Sequence, residues 1–457
     1  MKKRISIIVV AICLFFVATI TVACSSSDDR YRLLVWAPAE EQEMLLSMSE
    51  SFLYENPEFA ELVRFEFVTM DFPNVPDEVI RDAMSAANIF KFPSGAIPAM
   101  GGNLLPMIYQ PILTNAESRH VEAALDALWS DVTIGGQNRR ALVALPASPN
   151  NFVLHYNSDL LTEEDVRSIE SIMAADIDAE FNLAMPLANA WYNKVFFLGA
   201  GATVTVNLET DTLQTTFAGE YGMKAAEYMS GLARHPLFLN DDGGQGGQEF
   251  RSGNLGAFFG PPISRNDVIN IPGNITEGSV INAANYASAP LPTIRINSED
   301  RQLIDFSEHR VYGINALTGA SRDHLEAAQI TRIAQLFVDY ITNDINQLRR
   351  FELTSAAPTA RTLVNHNQTN IPHPAIAGNP SAGNPGRPEI VSSIIQAQIN
   401  SAMPMPATRA LSNFWSPQAV FGQQIVNNAD SGTPPAVADF QRWLDDLYNG
   451  ITINLTA

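Results

Sequence analysis

IGGQNRRALVALPASPNNFVLHYNSDLL, residues 134–161, holds two short apolar runs with a polar break between them. The first, Ala141 to Leu145, follows the turn residues Gly135, Gly136 and Asn138 and reads as a buried strand that Pro146 stops. The second, Phe152 to Tyr156, reads as another buried strand, after which Asn157 and Ser158 turn the chain toward a helix. Between the runs lie Ala147, Ser148, Pro149, Asn150 and Asn151. A hairpin would return the second strand beside the first, whereas Pro149 lacks a backbone donor and favours an extended path. The break therefore reads as a crossover between two bodies, with a strand-loop-strand inside one domain as the alternative.

At 457 residues the chain is long for one core and comfortable for two. Hydrophobic residues make up 46% and charged residues 17%, a globular balance. Asp and Glu outnumber Lys and Arg by 49 to 28, giving a net charge of -21. Such a chain is repelled by phosphate backbones, which argues against a nucleic-acid partner.

Both cysteines, Cys13 and Cys24, fall at the N-terminus, so no disulfide framework is available. Lys2, Lys3 and Arg4 precede the apolar stretch Ile5 to Ile20, the layout of a secretory leader. Thr21-Val22-Ala23-Cys24, followed by Ser25, Ser26, Ser27, Asp28 and Asp29, resembles a bacterial lipoprotein signal, although Thr21 stands where leucine is usual. That resemblance implies a signal peptide over 1–23, lipidation of Cys24 and a tether over 24–30. An uncleaved N-terminal membrane helix is the alternative, because the apolar run is nearly long enough to span. Either way the body lies outside the cytoplasm, held to the membrane.

Further along, Tyr31 to Trp36 reads as a strand, Glu40 to Tyr54 as a helix and Val63 to Met70 as a strand, the opening of an α/β sheet. Thr162 and Asp165 are spaced as a capping box for a helix through Val166, Ile169 and Met173. Phe181 to Pro186 suits a strand, and Ala188 to Leu198 and Glu220 to Arg234 suit helices. Asp241 to Gly247 suits a loop, and Gly253 should cap a helix before the strand Leu255 to Phe259. Leu325 to Thr342 reads as the clearest amphipathic helix. Asn, Pro and Gly fill 366–388 as a loop, and helices are expected over Ile390 to Ile399, Trp415 to Asn427 and Val437 to Tyr448.

Gly136, Leu145, Pro146, Leu154, Tyr156, Asn157, Asp159, Leu160 and Leu161 resemble the first interlobe segment of bacterial extracellular solute-binding proteins of the maltose-binding type. Phe250, Gly253, Ala257 and Gly260, the segment YASAPLP at 286–292, RVYGINA at 310–316 and Asn413-Phe414-Trp415 resemble later family patterns in matching order. The resemblance implies an α/β, two-lobed periplasmic-binding-protein-like fold of type II, each lobe a mixed sheet flanked by helices, with three interlobe crossings. The third crossing would be Phe351 to Thr359. One lobe would comprise 31–147 and 305–354, the other 148–304 and 355–457.

A search for catalysts finds no H-E-x-x-H, G-x-S-x-G, P-loop or C-x-x-C. His366 and His373 lack clustered carboxylates, and Asp241, Asp242 and Glu249 are not spaced as a calcium loop. No cofactor and no metal is expected. Sugar rings pack their C–H faces on aromatic planes while fixed polar groups take the hydroxyls. On the resemblance, Trp191, Tyr192 and Trp415 would stack on such a ligand, Phe92 and Trp36 would line the first lobe, and Glu40, Asn150 and Asn151 would supply polar contacts. Core packing is the competing role for each aromatic. Asn150 and Asn151 occupy the region where a carboxylate can bind sugar hydroxyls, and Pro262 stands where an aromatic often does. These departures make the site less acidic and leave room for a ligand other than maltose. The family implies a monomeric, non-enzymatic lipoprotein receptor that delivers a small solute, most simply a carbohydrate, to the permease of an ABC importer. A lipid-anchored glycoside hydrolase and a non-transport surface adhesin are the rival readings.

Overall fold

The computed structural model describes residues 28–453 except 135, 208, 242, 262–266, 271–275, 355, 364–393, 396–397 and 399–401. Cys24, the leader, Pro262, His366, His373 and the Asn/Pro/Gly segment lie outside the described residues, as does most of the helix expected over 390–399.

Two five-stranded mixed sheets organise the chain. In the first, strands run in the order Val63–Thr69, Tyr31–Ala37, Ile89–Pro93, His309–Ile314 and Ala144–Pro149. The first three are parallel, and His309–Ile314 runs against both of its neighbours. In the second the order is Phe238–Asn240, Phe181–Met185, Leu255–Gly260, Val153–Asn157 and Tyr286–Ala289. Here too the first three are parallel, and Val153–Asn157 is antiparallel to the strands on either side. Each sheet has its own core. Leu33, Val35, Met48, Phe90 and Phe337 belong to one cluster, and Leu154, Leu183, Phe196, Phe197 and Phe421 to the other. The strands buried on both faces are near-continuous apolar runs, as parallel strands covered by helices must be.

The crossover exists, but it is tighter than the sequence suggests. Pro146 does not stop the strand, which continues through Pro149, so that only Asn150 to Phe152 separate the two sheets. Ala144–Pro149 is an edge strand, where a missing N–H costs no ladder bond. Its pairing shifts between Arg310 and Val311, leaving Ala147 as the bulged residue. The run before it divides as well. Gln137–Leu142 pairs with Trp129–Ile134 as a hairpin turned at Gly136, whose φ of 78° suits glycine.

Local chemistry explains most element ends. Gly253, at φ 81°, closes the helix Gln245–Ser252 in the left-handed conformation. That helix starts inside the expected glycine loop. Thr162 and Asp165 do exchange reciprocal capping hydrogen bonds, yet they close only the turn Asp165–Arg167. Ser168 then caps the helix Ile169–Ala174 by accepting from the Ser171 N–H. After the helix Asp344–Thr354, Ala357 packs with Val153 and Ile395 of the second body, whereas Thr359 accepts from the Val121 N–H of the first. Among the described residues no helix is long and apolar enough to cross a membrane.

Candidate functional site

In both sheets the carboxyl ends of the parallel strands point to the same junction. In the first, Glu40 follows Tyr31–Ala37, Phe72 follows Val63–Thr69 and Ser94 follows Ile89–Pro93. His309 pairs with Pro149 at that edge, which places Arg310 and Asn150 there as well. In the second sheet the carboxyl edge carries Asn189, Trp191 and Tyr192 after Phe181–Met185, Asp241 after Phe238–Asn240 and Pro261 after Leu255–Gly260. Gly260 pairs with Val153, so the edge is also where the crossover enters. Open α/β sheets bind ligands outside the carboxyl ends of their strands, and here two such edges meet at residues 150–152.

The aromatic wall is built from two helix starts. Asn189 caps the helix Ala190–Ala200 by accepting from the Trp191 N–H at 2.9 Å, which puts Trp191 and Tyr192 in the first turn. Trp415 stands in the first turn of Ser412–Asp430, and the two indoles meet at 5.7 Å. Both are half-buried. The helices are locked where Gln418 Nε2 donates to Asn193 Oδ1 at 2.7 Å. Gly422 permits this approach, since a Cβ there would lie 2.0 Å from the Leu187 carbonyl oxygen. The Lys194 ammonium lies 3.8 Å from the centre of the Trp191 ring, a cation–π contact. Tyr192 packs on Phe152 at 4.8 Å.

A buried polar weld joins the crossover to the returning segment 303–309. Asn150 N donates to the Glu308 carbonyl at 2.9 Å, and its side chain donates to the Glu308 carboxyl. Asn151 Nδ2 donates to Asp305 Oδ2 at 2.9 Å and to the Phe306 carbonyl at 2.7 Å. Asp305 in turn pairs with Lys194 at 2.8 Å. Arg310 Nε donates to Asn150 Oδ1 at 2.9 Å, and its guanidinium lies 4.3 Å from the centre of the Phe72 ring.

No family model and no curated protein matches the sequence. Solved structures do match. The maltodextrin-binding protein of L. casei BL23, solved without ligand, is 19% identical with a TM-score of 0.66, over 93% of this chain and 99% of that one. The Thermus thermophilus maltotriose-binding protein, bound with maltotriose, is 18% identical with a TM-score of 0.67, over 92% and 99%. The GacH receptor of Streptomyces glaucescens GLA.O, solved unliganded and with acarbose, is 17% identical with a TM-score of 0.68, over 93% and 98%. The fold is that of the two-lobed solute-binding proteins.

Within this solute-binding fold the structure brings Trp191, Tyr192 and Trp415 together on the second sheet's side of the junction and leaves Glu40 exposed at the carboxyl edge of the first sheet. It does not bring Phe92 to them. That ring has no exposure and packs against Phe90 and the Cα of Gly313, inside the first core. Trp36 is 9% exposed and belongs to the same core. Asn150 and Asn151 stand at the crossover with their amide nitrogens donating to Glu308, Asp305 and the Phe306 carbonyl and Asn150 Oδ1 accepting from Arg310, while the buried Asn151 Oδ1 has no partner among the described residues.

Sequence reasoning passed over Lys194, Asp305, Glu308 and Arg310. One signal was available: a lone lysine in the apolar helix AWYNKVFFLGA demands a buried counter-charge. Burial pushes the Glu308 carboxyl up to about 7, although Asn150 and the Gly95 N–H partly oppose it. The folded state therefore holds this proton more tightly than the unfolded chain. The resulting stabilisation is complete below the ordinary value of 4.5 and is lost as pH rises through about 7. Glu308→Gln should accordingly melt higher than the parent at pH 8, by an amount equivalent to roughly 2–3 kcal/mol, and match it near pH 4.5. Calorimetric melting at the two pH values checks this, and an equal difference at both would refute it.

Proposed function

We propose that this chain is an extracytoplasmic substrate-binding lipoprotein that captures a small carbohydrate between two lobes and delivers it to the permease of an ABC importer. The observation that carries the reading is the Trp191–Trp415 pair, half-exposed where the carboxyl edges of both sheets converge. Paired indoles offer a flat apolar platform to sugar C–H faces. The lobes are taken as 31–147 with 305–354 and 148–304 with 355–457. Ligand contacts to both lobes favour the closed form because the open form lacks one set of them. Cys24 would carry the lipid that holds the mature chain, with a net charge of -24 once Lys2, Lys3 and Arg4 leave with the leader, at the membrane surface.

Purified protein, screened by native mass spectrometry and then by melting with mono- and oligosaccharides, tests this. A bound sugar raises the melting temperature by mass action. Trp191→Ala and Trp415→Ala should each weaken binding about tenfold or more, at roughly 0.5–1.5 kcal/mol per lost ring contact beyond area. Undiminished affinity in both variants would remove the assignment of the site.

A further inference from the structure

Arg310 is half-buried at the junction, and its setting differs from that of every other cation there. Lys194 is neutralised by Asp305 at 2.8 Å, and Lys91 by Glu41 at 2.5 Å. Arg310 has no carboxylate within ion-pair distance among the described residues. Its only side-chain hydrogen bond among them runs from Nε to the neutral amide of Asn150, at 2.9 Å. One face of the guanidinium is supported by Phe72 at 4.3 Å. The head group is thus fixed in position and orientation while neither Nη group has a hydrogen-bond or ion-pair partner among the described residues.

Glu41 is shared between Lys91 and Arg350, at 2.5 and 3.5 Å. Asp305 is matched by Lys194. Glu308, the remaining buried carboxyl, takes its hydrogen bonds from Asn150 and the Gly95 N–H rather than from a cation, and burial keeps it protonated through part of the neutral range. Glu40 follows the same edge and, although exposed, favours the Arg310 charge from a distance, as Glu41 and Glu308 do. Among the described residues Arg310 still has no ion-pair partner, and only its Nε makes a side-chain hydrogen bond. A planar fork with two free N–H groups matches a carboxylate bidentately, and charge-assisted bonds of that kind are about twice as strong as those to a neutral hydroxyl.

Building on the carbohydrate reading above, we infer that the guest carries a carboxylate, as a uronic acid or an oligosaccharide containing one does, and that the Nη groups of Arg310 receive it while Trp191 and Trp415 take the ring faces. Asn150 then acts as a positioning residue, since its amide oxygen aims the guanidinium. Phe72 does the same from the other side.

The test is calorimetric titration of the full mature chain with galacturonate and glucuronate, their short oligomers, and the neutral counterparts galactose, glucose and maltotriose. The acidic sugar is expected to bind at least tenfold more tightly than its neutral counterpart. Arg310→Gln should erase that preference, lowering the acidic-sugar affinity at least tenfold more than the neutral-sugar affinity, with far-UV circular dichroism and melting confirming the fold. Phe72→Ala, which keeps the charge and removes only the supporting ring, should reduce the preference by a smaller factor. Neutral sugars binding as tightly as acidic ones, or Arg310→Gln leaving the acidic affinity unchanged, would overturn the inference and leave the carbohydrate reading standing. Absence of binding by both sets would overturn that reading as well.

Discussion

Asp305→Asn is expected to lower the unfolding free energy by about 3–5 kcal/mol, the cost of removing one partner from a buried ion pair. Lys194 and Asp305 are 0% and 3% exposed, and their charged atoms are 2.8 Å apart. Asparagine keeps the volume, but one of two accepting oxygens becomes an N–H donor, so the change removes an acceptor together with the charge. What remains to Lys194 is the Trp191 carbonyl oxygen, the Trp191 ring at 3.8 Å and the more distant Glu308 carboxyl, which burial pushes toward its neutral form. Burial already draws the Lys194 ammonium below its ordinary range. The variant should relieve itself by losing that proton, so its deficit should shrink as pH rises. Urea unfolding of the parent, Asp305→Asn, Lys194→Met and the double variant measures the effect, and the coupling between the sites should exceed about 2 kcal/mol. A single-variant loss below about 1 kcal/mol would show that another group balances Lys194. Replacing the pair by apolar residues should cost far less than breaking it, because the desolvation of both charges disappears together.

The architecture was legible because it rests on periodicity and order. The apolar runs at Tyr31, Val63, Phe181 and Leu255 became strands in the expected sheets, and the 3.6-residue spacing from Ile330 to Ile341 became the buried face of His324–Ile341. Turn chemistry was legible at Gly253 and misleading at Pro146, since a proline stops a strand only if its N–H is required, and an edge position is visible only in the assembled sheet. Trp191 and Trp415 came from the family resemblance rather than from local signals, and the structure sets them in the first turns of two helices with their rings 5.7 Å apart. The polar half could not. Glu41, Lys91, Tyr312 and Arg350 are separated by scores to hundreds of residues, and nothing local to any one of them names the other three. Asn150 and Asn151 were placed at the crossover, but their hydrogen bonds to Glu308 and Asp305 were not legible for the same reason: those residues return from more than 150 positions away.

Glu41→Gln should be the second large loss, again about 3–5 kcal/mol, because one carboxylate neutralises two buried cations. Lys91 Nζ lies 2.5 Å from Oε1, Arg350 Nε lies 3.5 Å from the same oxygen, and Tyr312 Oη donates to Oε2 at 2.6 Å. Lys91 and Tyr312 face each other across paired strands, Arg350 comes from the helix Asp344–Thr354, and Glu41 opens the helix Gln42–Glu55. The carboxylate thus ties four elements behind the edge that carries Arg310. Burial alone would raise its pKa, but Lys91 and Arg350 together, with the Lys91 and Tyr312 hydrogen bonds, overcome burial and hold it at about 2. The depressed value sets the sign of the pH dependence. Stabilisation from Glu41 is present above the ordinary 4.5 and fades as pH falls toward 2. The parent should therefore lose stability relative to Glu41→Gln on acidification, and the gap measured by urea unfolding at pH 7 should narrow at pH 3. Tyr312→Phe, which removes one hydrogen bond to a charged acceptor and leaves the charges paired, should cost only about 1.5–3 kcal/mol. If Glu41→Gln falls within about 1 kcal/mol of the parent at pH 7, or if the gap persists undiminished in acid, the carboxylate is not what neutralises Lys91 and Arg350.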